Sequence, residues 1–319
     1  MKVSLGLGLT NDCNLSCAHC YRPGPDIRNL SLDQIRSTLD SLDASGVNLG
    51  TGESLFHPQF DAILDELFAR GLPVSLVSNG TTLLALPLER LARLREAEVS
   101  IDFSDVARMD AFRGPGAHAR ALAALDKCRE AGLPTTVLAV LMRDNHRDLP
   151  SLARLAAAHG APLRVNVYQP VHTREFLPTW HEFWYAVESL LAETVLLGCS
   201  EPVIAAIAGL SLEGTPCGRG SVRVTPSGER RSCVYWPGDP VPAAEFRRLP
   251  VACEPCPAVA VCGGGCASRR KLLDVFDAPD PYCPFARGPR APIKPRLAAG
   301  VERLHLASVC TLLVRADPA

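Results

Sequence analysis

The sequence predicts an α/β fold built on a parallel sheet, and three observations carry this prediction. First, helix-like stretches pass through Gly-x-Pro into β-branched apolar runs in residues 68–77, 128–140 and 157–167. Gly ends a helix, Pro cannot continue it, and Val/Thr/Leu runs suit a buried strand. Second, strand-like and helix-like segments alternate, which favours parallel strands with right-handed crossovers. Third, the strands are continuous apolar runs, as in sheets buried on both faces.

Six strand-like runs follow one another in the first half of the chain. They lie near residues 2–9, 47–51, 73–78, 98–103, 134–142 and 162–168. The first helix is predicted to start after Ser31, because Ser31 and Gln34 have the spacing of a capping box. Gly46 is predicted to separate this helical region from the second strand. Six β/α units do not make the eight of a closed barrel, so the predicted core is a partial, TIM-like (β/α)6 barrel.

The sequence pattern changes after about residue 170. Residues 178–210 are predicted to be helical. Residues 214–290 are rich in Gly, Pro, Arg and Cys and lack periodicity, so this segment needs something other than an apolar core to hold it together. We therefore predict a barrel core over residues 1–210 and a loop-rich, cysteine-rich domain over 211–290. The tail over 291–319 has a short apolar run and no readable motif.

Composition and charge exclude several classes of partner. The chain has 319 residues and a formal net charge of −1, without the basic footprint that nucleic-acid binding leaves. No apolar run reaches the ~18–20 residues of a membrane span, and the first residues do not form a signal peptide. We therefore expect a cytoplasmic protein with no nucleic-acid or membrane partner. Its thirteen cysteines indicate chemistry rather than disulfides, because the cytosol keeps thiols reduced.

Four chemically active side chains follow four different predicted strands. Cys13, Glu53, Asn79 and Asp102 each lie just past or near a strand end. In barrels of this kind the carboxyl ends of the strands meet at one rim, where the chemistry takes place. We therefore expect these four residues to lie on one rim.

Three cysteines stand close together in TNDCNLSCAHCYRP, with the spacing C-x3-C-x2-C and no fourth cysteine nearby. They are Cys13, Cys17 and Cys20. A structural zinc site or an ordinary iron–sulfur site needs four protein ligands. Three thiolates on an iron–sulfur cube leave one iron open, as catalytic zinc keeps one position for its substrate. From the spacing alone, a partial zinc site is the rival interpretation.

This motif and its surroundings resemble the radical S-adenosylmethionine (radical SAM) enzymes. In that family, the open iron of a 4Fe–4S cluster binds SAM, and SAM cleavage gives a 5′-deoxyadenosyl radical that abstracts a hydrogen atom from the substrate. GTGESLF resembles the family's Gly-Gly-Glu stretch, which contacts the SAM amino group, although Thr51 departs from it. VSNGT resembles the family's third-strand motif. VSID resembles its fourth-strand motif, whose Ser and Asp approach the ribose hydroxyls of SAM. The resemblance thus implies these SAM-binding residues: Gly50, Thr51, Gly52, Glu53, Ser78, Asn79, Ser100 and Asp102.

The later cysteines form a second pattern. Cys217, Gly228 and Cys233 have the spacing C-x10-G-x4-C, and five more cysteines follow at positions 253, 256, 262, 266 and 283. This order is similar to the seven-cysteine SPASM domain of radical SAM enzymes, which carries two auxiliary 4Fe–4S clusters. A zinc ribbon is the rival interpretation, since C-x2-C pairs also bind zinc.

The resemblance also divides these cysteines between two clusters. Cys253, Cys256, Cys262 and Cys283 would bind the outer auxiliary cluster, and Cys217, Cys233 and Cys266 the inner one. The inner cluster lacks a fourth cysteine, since Arg223 stands where some family members have one. An open iron, a non-cysteine ligand and Cys199 are the alternatives. The arginine-rich segments RRSC and ASRRK are interpreted either as solvated charge or as an offset to cluster charge.

The reaction predicted from the sequence is hydrogen abstraction from a small polar natural product, either an aminoglycoside or a related sugar, giving dehydrogenation or epimerisation. Only twelve residues precede Cys13, which leaves no room for a leader-binding module, and four lysines among many arginines suggest a high-GC genome. The alternative is a maturase of a ribosomally made peptide, acting by epimerisation or by a thioether or C–C cross-link. A remote alternative is a non-enzymatic metal-binding module.

No catalytic residue is assigned beyond Cys199, a candidate hydrogen donor in an epimerisation. His172, Arg174 and Glu175 are either substrate contacts or ordinary solvated loop residues. The resemblance implies a flavodoxin- or ferredoxin-type reductant as protein partner.

Overall fold

The computed structural model describes residues 2–22, 24–210, 220–288, 290–299 and 311–316. The chain divides into two compact units. The first comprises Met1–Leu138, His159–Ala161 and Gly220–Val234, and the second comprises Ala139–Ala158, Pro162–Arg219 and Tyr235–Ala319. The three-part division of the sequence made above stays a prediction.

Strands and helices alternate through the first unit. In chain order they are β1 (Val3–Gly8), α1 (Leu32–Ser41), β2 (Ala44–Gly50), α2 (Phe60–Ala69), β3 (Val74–Ser78), α3 (Thr81–Ala85), α4 (Leu88–Leu91), β4 (Glu96–Ser100), α5 (Val106–Arg113), α6 (Ala117–Glu130) and β5 (Thr135–Leu141). The last three residues of β5 belong to the second unit.

The remaining helices and strands follow in the rest of the chain. They are α7 (Leu149–Ala158), β6 (Leu163–Val167), α8 (Trp180–Glu193), β7 (Thr194–Cys199), α9 (Pro202–Ile207), β8 (Ser221–Val224), β9 (Arg230–Arg231), α10 (Ala243–Phe246), α11 (Val259–Cys262), α12 (Ala267–Leu272), β10 (Arg296–Leu297) and β11 (Thr311–Ala316). Of these, β8 and β9 belong to the first unit.

The strands of the first unit follow the order β9-β8-β1-β2-β3-β4-β5. All neighbours from β8 to β5 are parallel, and only β9 runs antiparallel to its neighbour. Parallel strands place their carboxyl ends on one edge, which is where β1 to β4 lead into the loops of the site. The core between this sheet and its helices consists of apolar side chains with less than a tenth of their surface exposed, among them Leu5, Leu7, Leu49, Leu76 and Val99. The six predicted strands are confirmed as β1 to β6, within a few residues.

One prediction for the second unit was wrong, and one segment without a prediction forms a strand. Residues 178–210 are not one helical region, because helix α8 ends at Glu193 and Thr194–Cys199 forms β7. The tail contains a strand, β11, which runs antiparallel to both β6 and β7. Both segments are short apolar runs, which sequence periodicity cannot assign to strand or helix without knowing the partner. Since their partners are far away in sequence, the pairing decides their structure.

The expected role of Gly46 was also wrong. Helix α1 ends at Ser41 with Leu42 as its C-cap, and Gly46 lies inside β2, in register with Ser4 of β1. An added Cβ at Gly46 would lie 3.2 Å from the carbonyl oxygen of Pro73. This glycine therefore allows close strand packing rather than ending a helix.

Across the parts of the chain that the structure describes, no helix combines the length and apolarity needed to cross a bilayer.

The capping box at the start of α1 is confirmed, and it yields a stability prediction. The Gln34 amide donates to Ser31 Oγ at 3.2 Å, and the Ser31 amide donates to Gln34 Oε1 at 2.9 Å. We expect Ser31→Ala to lower the free energy of unfolding by about 1 kcal/mol, because helix N–H groups lose their acceptor. Urea unfolding of the metal-free protein measures this. Ser37→Ala, an exposed change inside the same helix, is the control, and equal losses in both variants would contradict the capping argument.

Candidate functional site

The three cysteines of the first motif lie on the loop between β1 and α1. Cys13, Cys17 and Cys20 are partly exposed free thiols. The loop turns tightly, since the Cys20 amide donates to the Cys17 carbonyl at 3.0 Å. Burial raises the pKa values of Cys13 and Cys17, and nearby cations oppose this, Arg22 at Cys13 and Arg113 at Cys17. The loop thus presents thiols next to positive charge, which suits ligands that must bind metal as thiolates.

Arg22 holds the cysteine loop in shape. Its guanidinium donates from Nη1 to the Asn11 carbonyl at 2.7 Å and from Nη2 to the Leu15 carbonyl at 2.7 Å. The Leu15 amide in turn points at Cys13 Sγ at 3.4 Å. Sequence reasoning missed Arg22, and its only signal was a cation two residues after Cys20.

The cysteine loop passes directly over the end of β2. Gly52 has φ of 66°, and a Cβ there would lie 2.3 Å from the Asp12 carbonyl oxygen and 2.5 Å from that of Thr10. No residue other than glycine fits this crossing. The Glu53 amide donates to the same Asp12 oxygen at 2.8 Å, so the crossing is also hydrogen-bonded.

Thr51, the departure from the Gly-Gly-Glu pattern, adopts a glycine-like backbone. Its φ is 66°, in the left-handed region that a β-branched residue rarely enters. This conformation costs roughly 1–2 kcal/mol relative to glycine. The Thr51 hydroxyl pairs with the Tyr21 hydroxyl at 3.0 Å, which ties β2 to the residue after Cys20. Thr51 therefore preserves the backbone shape of the motif and adds a side-chain bond.

Glu53 is buried, with 1% of its surface exposed, and its carboxylate accepts four hydrogen bonds. Oε1 accepts from Ser78 Oγ at 2.5 Å and from the amide and hydroxyl of Thr82 at 2.8 and 2.5 Å. Oε2 accepts from the Asn79 amide at 2.9 Å. The predicted contact of Glu53 with SAM stays a prediction, while the structure uses this carboxylate to join the ends of β2 and β3.

Asn79 connects β3 to the cysteine loop. Its amide nitrogen donates to Asn14 Oδ1 at 2.9 Å and lies 3.6 Å from Cys13 Sγ. Its amide oxygen accepts from both the backbone and hydroxyl of Thr81 at 3.1 and 2.7 Å. An amide held in this way keeps one orientation. Cys13, Glu53 and Asn79 therefore do lie on one rim, as expected.

Asp102 lies fully buried just after β4, beside Arg113 and His19. The Arg113 guanidinium donates to Asp102 Oδ2 from Nε and from Nη2, both at 2.7 Å. His19 Nε2 lies 3.5 Å from the same oxygen, and its ring packs 4.9 Å from that of Phe112. Burial lowers the pKa of His19 to about 4 against the pull of Asp102, so this imidazole is neutral at neutral pH. Sequence reasoning missed His19, although it stands inside the motif between Cys17 and Cys20.

The remaining predicted SAM-binding residues occupy the same edge of the sheet. Gly50 and Ser100 are the last residues of β2 and β4, and both are partly exposed. Ser78, the last residue of β3, is buried and bonded to Glu53. Their roles stay predictions, and their positions agree with a ligand at the carboxyl ends of β1 to β4.

Four of the later cysteines line one cavity in the second unit. They are Cys253, Cys256, Cys262 and Cys283, the set that the resemblance assigns to the outer cluster. Gly264 and Asp280 line the same cavity. Burial raises the pKa values of Cys253, Cys262 and Cys283, so these metal-free side chains are neutral thiols.

Cys266 does not line this cavity and is held separately. Its amide donates to Asp280 Oδ2 at 2.8 Å, and its sulfur accepts from the Arg269 amide at 3.5 Å, at the start of α12. Cys233 is buried in the first unit, whereas Cys217 lies outside the described residues. The fourth ligand of the inner cluster therefore stays open.

Cys199 is the last residue of β7 and is 2% exposed. Burial raises its pKa to about 12, and its thiol lies 3.6 Å from the Glu201 carbonyl. Its assignment as a hydrogen donor or cluster ligand stays a prediction.

The thiols of the two cysteine sets are the ligand type that iron–sulfur clusters use. Among the described residues, no three His, Cys, Asp or Glu side chains converge as ligands of one metal ion. A four-iron cube is larger than an ion, so its thiolates surround it at a distance from one another. One set offers three thiols near Arg22 and Arg113, and the other offers four thiols around one cavity.

Comparison with known proteins adds to this geometry. Residues 7–156 match the family model of the radical SAM superfamily. Mycofactocin maturase MftC of Mycobacterium ulcerans (strain Agy99) is 29% identical to this chain over 330 residues, which cover 88% of this chain and 87% of MftC.

Two solved structures share the fold. Streptococcus suis SuiB bound to precursor peptide SuiA matches with a TM-score of 0.68 at 15% identity, over 89% of this chain and 76% of SuiB. Native anSMEcpe with bound AdoMet and Cp18Cys peptide matches with a TM-score of 0.66 at 14% identity, over 89% of this chain and 94% of anSMEcpe. These likenesses concern the fold, and they confirm the predicted partial-barrel α/β class with a cysteine-rich C-terminal region.

The crossing at Gly52 predicts a change specific to the site. Gly52→Ala should lower the free energy of unfolding by more than the roughly 1–2 kcal/mol of a left-handed alanine, because its Cβ also meets two carbonyl oxygens. We expect the iron content after reconstitution to fall as well, since the cysteine loop must shift. The matched control is Gly132→Ala, which has the same φ of 66° but no atom within 4 Å of the added Cβ. Equal effects of the two changes would contradict the steric argument.

Proposed function

Because the chain belongs to the radical SAM superfamily, we propose that it is a radical SAM maturase that modifies a ribosomally made peptide. The observation that carries this proposal is the relationship to MftC, which extends over most of both chains. The preference for a small polar natural product depended on composition and on where the sequence starts. The relationship to MftC extends over nearly the whole length of both chains, and it supports a peptide substrate more strongly than composition or the start of the sequence supports a small molecule. The family also supports an enzyme over a non-enzymatic metal-binding module.

In this proposal Cys13, Cys17 and Cys20 bind the catalytic cluster. A 4Fe–4S cluster bound there supplies the electron that cleaves SAM into methionine and a 5′-deoxyadenosyl radical. The chain's own part is to hold the three thiolates at the carboxyl ends of the strands. Arg22 fixes the loop through two backbone carbonyls, and the crossing at Gly52 brings the loop against the end of β2.

The other rim residues position the ligand and keep water away. The Glu53 carboxylate accepts hydrogen bonds from the end of β3 and the start of α3, so this residue orients the rim. Asp102 and Arg113 form a buried ion pair in which each side chain compensates the charge of the other without a water molecule. The neutral His19 ring lies beside this pair. Preorganised groups of this kind need no rearrangement when the ligand binds.

The cysteines of the second unit support an oxidative outcome. An auxiliary cluster held by these cysteines would supply an electron acceptor, so that a substrate that has given one hydrogen atom to the radical would lose one further electron, with the remaining proton leaving to solvent. The product is a dehydrogenated or cross-linked peptide that is two hydrogens lighter. Epimerisation requires a hydrogen donor instead, and the candidate Cys199 is almost completely buried. A flavodoxin- or ferredoxin-type protein is the proposed source of the first electron.

The first test concerns SAM cleavage. We expect the anaerobically reconstituted protein to contain about twelve irons per chain and to release 5′-deoxyadenosine when dithionite is added. The variant with Cys13, Cys17 and Cys20 all changed to Ala should keep about eight irons and release none. Cys128→Ala, at a cysteine buried in α6, is the control and should behave as the unchanged protein. Bound zinc, or SAM cleavage by the triple variant, would contradict the proposal.

The second test concerns the substrate. We expect the genomic neighbourhood to encode a short precursor peptide. We expect that peptide to become two hydrogens lighter in the presence of SAM and reductant, with no deuterium taken up from D2O at the modified carbon. Mass spectrometry of the intact and digested peptide measures both. A product whose mass is unchanged in H2O but which carries one deuterium, and is correspondingly heavier, in D2O would indicate epimerisation instead. Turnover of an aminoglycoside, with no reaction of the peptide, would overturn the peptide proposal.

A further inference from the structure

Two adjacent arginines of α12 are completely buried. Arg269 is 0% exposed and Arg270 is 1% exposed. Both belong to the ASRRK segment, for which solvated charge and an offset to cluster charge were the alternative interpretations. Burial excludes solvated charge for these two residues. Since a buried charge costs free energy unless it is paired, each guanidinium needs a compensating anion.

Arg269 has its anions within the protein. Its guanidinium donates to Glu201 Oε1 and to Asp280 Oδ2, both at 2.7 Å, and lies 4.9 Å from the ring centre of Tyr282. One cation is thereby paired with two carboxylates. Arg269 is therefore a structural residue, and it fixes Asp280 at the wall of the cavity that the four cysteines line.

Arg270 differs from Arg269, because it has no carboxylate at ion-pair distance among the described residues. Nη1 donates to the Phe276 carbonyl, and Nη2 donates to the Arg248 carbonyl at 3.1 Å. Nε is buried and has no hydrogen-bond acceptor in the described part of the chain. The guanidinium also lies 5.0 Å from the ring centre of Phe276. Backbone carbonyls and a ring satisfy part of its hydrogen bonding but supply no full negative charge.

Asp280 and the cysteines are the sources of negative charge around Arg270. Its backbone amide donates to the Cys266 carbonyl at 3.0 Å, and its Nη2 binds the Arg248 carbonyl in the segment that leads to Cys253. Burial lowers the pKa of Arg270, and the charges that oppose this are those of Asp280, Cys266, Cys253 and Cys262. The Asp280 oxygens are already occupied by Arg269 and by the amides of Cys266 and Tyr282, at 2.8 and 2.9 Å. The cysteines carry charge only as thiolates, and metal binding is what deprotonates them.

We propose that Arg270 is the buried counter-charge of the anionic group that Cys253, Cys256, Cys262 and Cys283 bind, and that it raises the reduction potential of an iron–sulfur cluster held there. The inference deepens the proposed function and rests on it for the presence of that cluster. Reduction adds one negative charge to a cluster, so a fixed cation nearby favours the reduced form. Arg270 acts through charge and touches no substrate, which makes it a tuning residue and not a catalytic one.

The test compares Arg270→Gln with Arg270→Lys in the variant that lacks Cys13, Cys17 and Cys20, so that the remaining signals come from auxiliary sites. The readouts are iron per chain and the midpoint potential from a redox titration followed by electron paramagnetic resonance. We expect Arg270→Gln to shift one midpoint to a more negative value and Arg270→Lys to retain most of the original value. Lys271→Gln is the matched control, because Lys271 is the next residue of α12, is exposed, and lies 5.7 Å from the same Phe276 ring.

A competing explanation is that Arg270 only balances the second carboxylate around Arg269. In that case Arg270→Gln would lower the melting temperature of the metal-free and metal-loaded proteins equally and leave the potential unchanged, which would overturn the inference. If the four cysteines bind zinc and no iron, the cluster part of the proposed function fails. The role of Arg270 as a counter-charge is then tested by metal retention. We expect Arg270→Gln to lose zinc to a chelator faster than Lys271→Gln does. Equal rates in the two variants would also overturn the inference.

Discussion

The carboxylate of Glu53 is the interaction on which the rest of the first site depends. Four donors from the end of β3 and the start of α3 converge on it, and the backbone of the same residue binds the cysteine loop through Asp12. Three segments that are distant in sequence thus meet at one buried side chain. A buried carboxylate without these donors would be costly, and the donors without it would be left unpaired. The hydrogen bond between the Glu53 amide and the Asp12 carbonyl therefore helps to fix the loop that carries the three thiols.

Positive charge accompanies the cysteines in both units, but it is arranged in different ways. In the first unit Arg22 and Arg113 lie beside a partly exposed loop, and each also has an oxygen partner within the protein. In the second unit the cations are buried, and Arg269 and Arg270 differ in whether a carboxylate reaches them. Exposed thiols can be compensated by solvent and by nearby side chains, whereas enclosed ones depend on what is built into the fold. The arginines beside the cysteine loop thus have oxygen partners, whereas Arg270 in the second unit has, among the described residues, backbone carbonyls only.

Much of the fold and of the rim could be predicted from the sequence, because the signals were local. Apolar runs that follow Gly-x-Pro predicted β3, β5 and β6. The spacing of the cysteines and the polar residues after β1 to β4 predicted what the rim would contain. What could not be predicted depends on distant partners. Strand β7 pairs with β11, more than a hundred residues later, and neither run has its own period. The burial of Arg269 depends on Glu201 and Asp280, which no local pattern links to it.

Thr51 shows how a motif can keep its shape while its letters change. Its left-handed backbone is the one that glycine adopts most easily, and its hydroxyl reaches Tyr21. If glycine at this position were replaced first by serine and then by threonine, both replacements would carry a hydroxyl near Tyr21. Alanine as the intermediate would have the cost of the left-handed backbone and no hydroxyl to bond to Tyr21. A search for related enzymes that requires Gly-Gly-Glu would pass over this chain. The dihedral angles at this position, and a hydroxyl partner beside the cysteine loop, define the motif better than the identity of the middle residue.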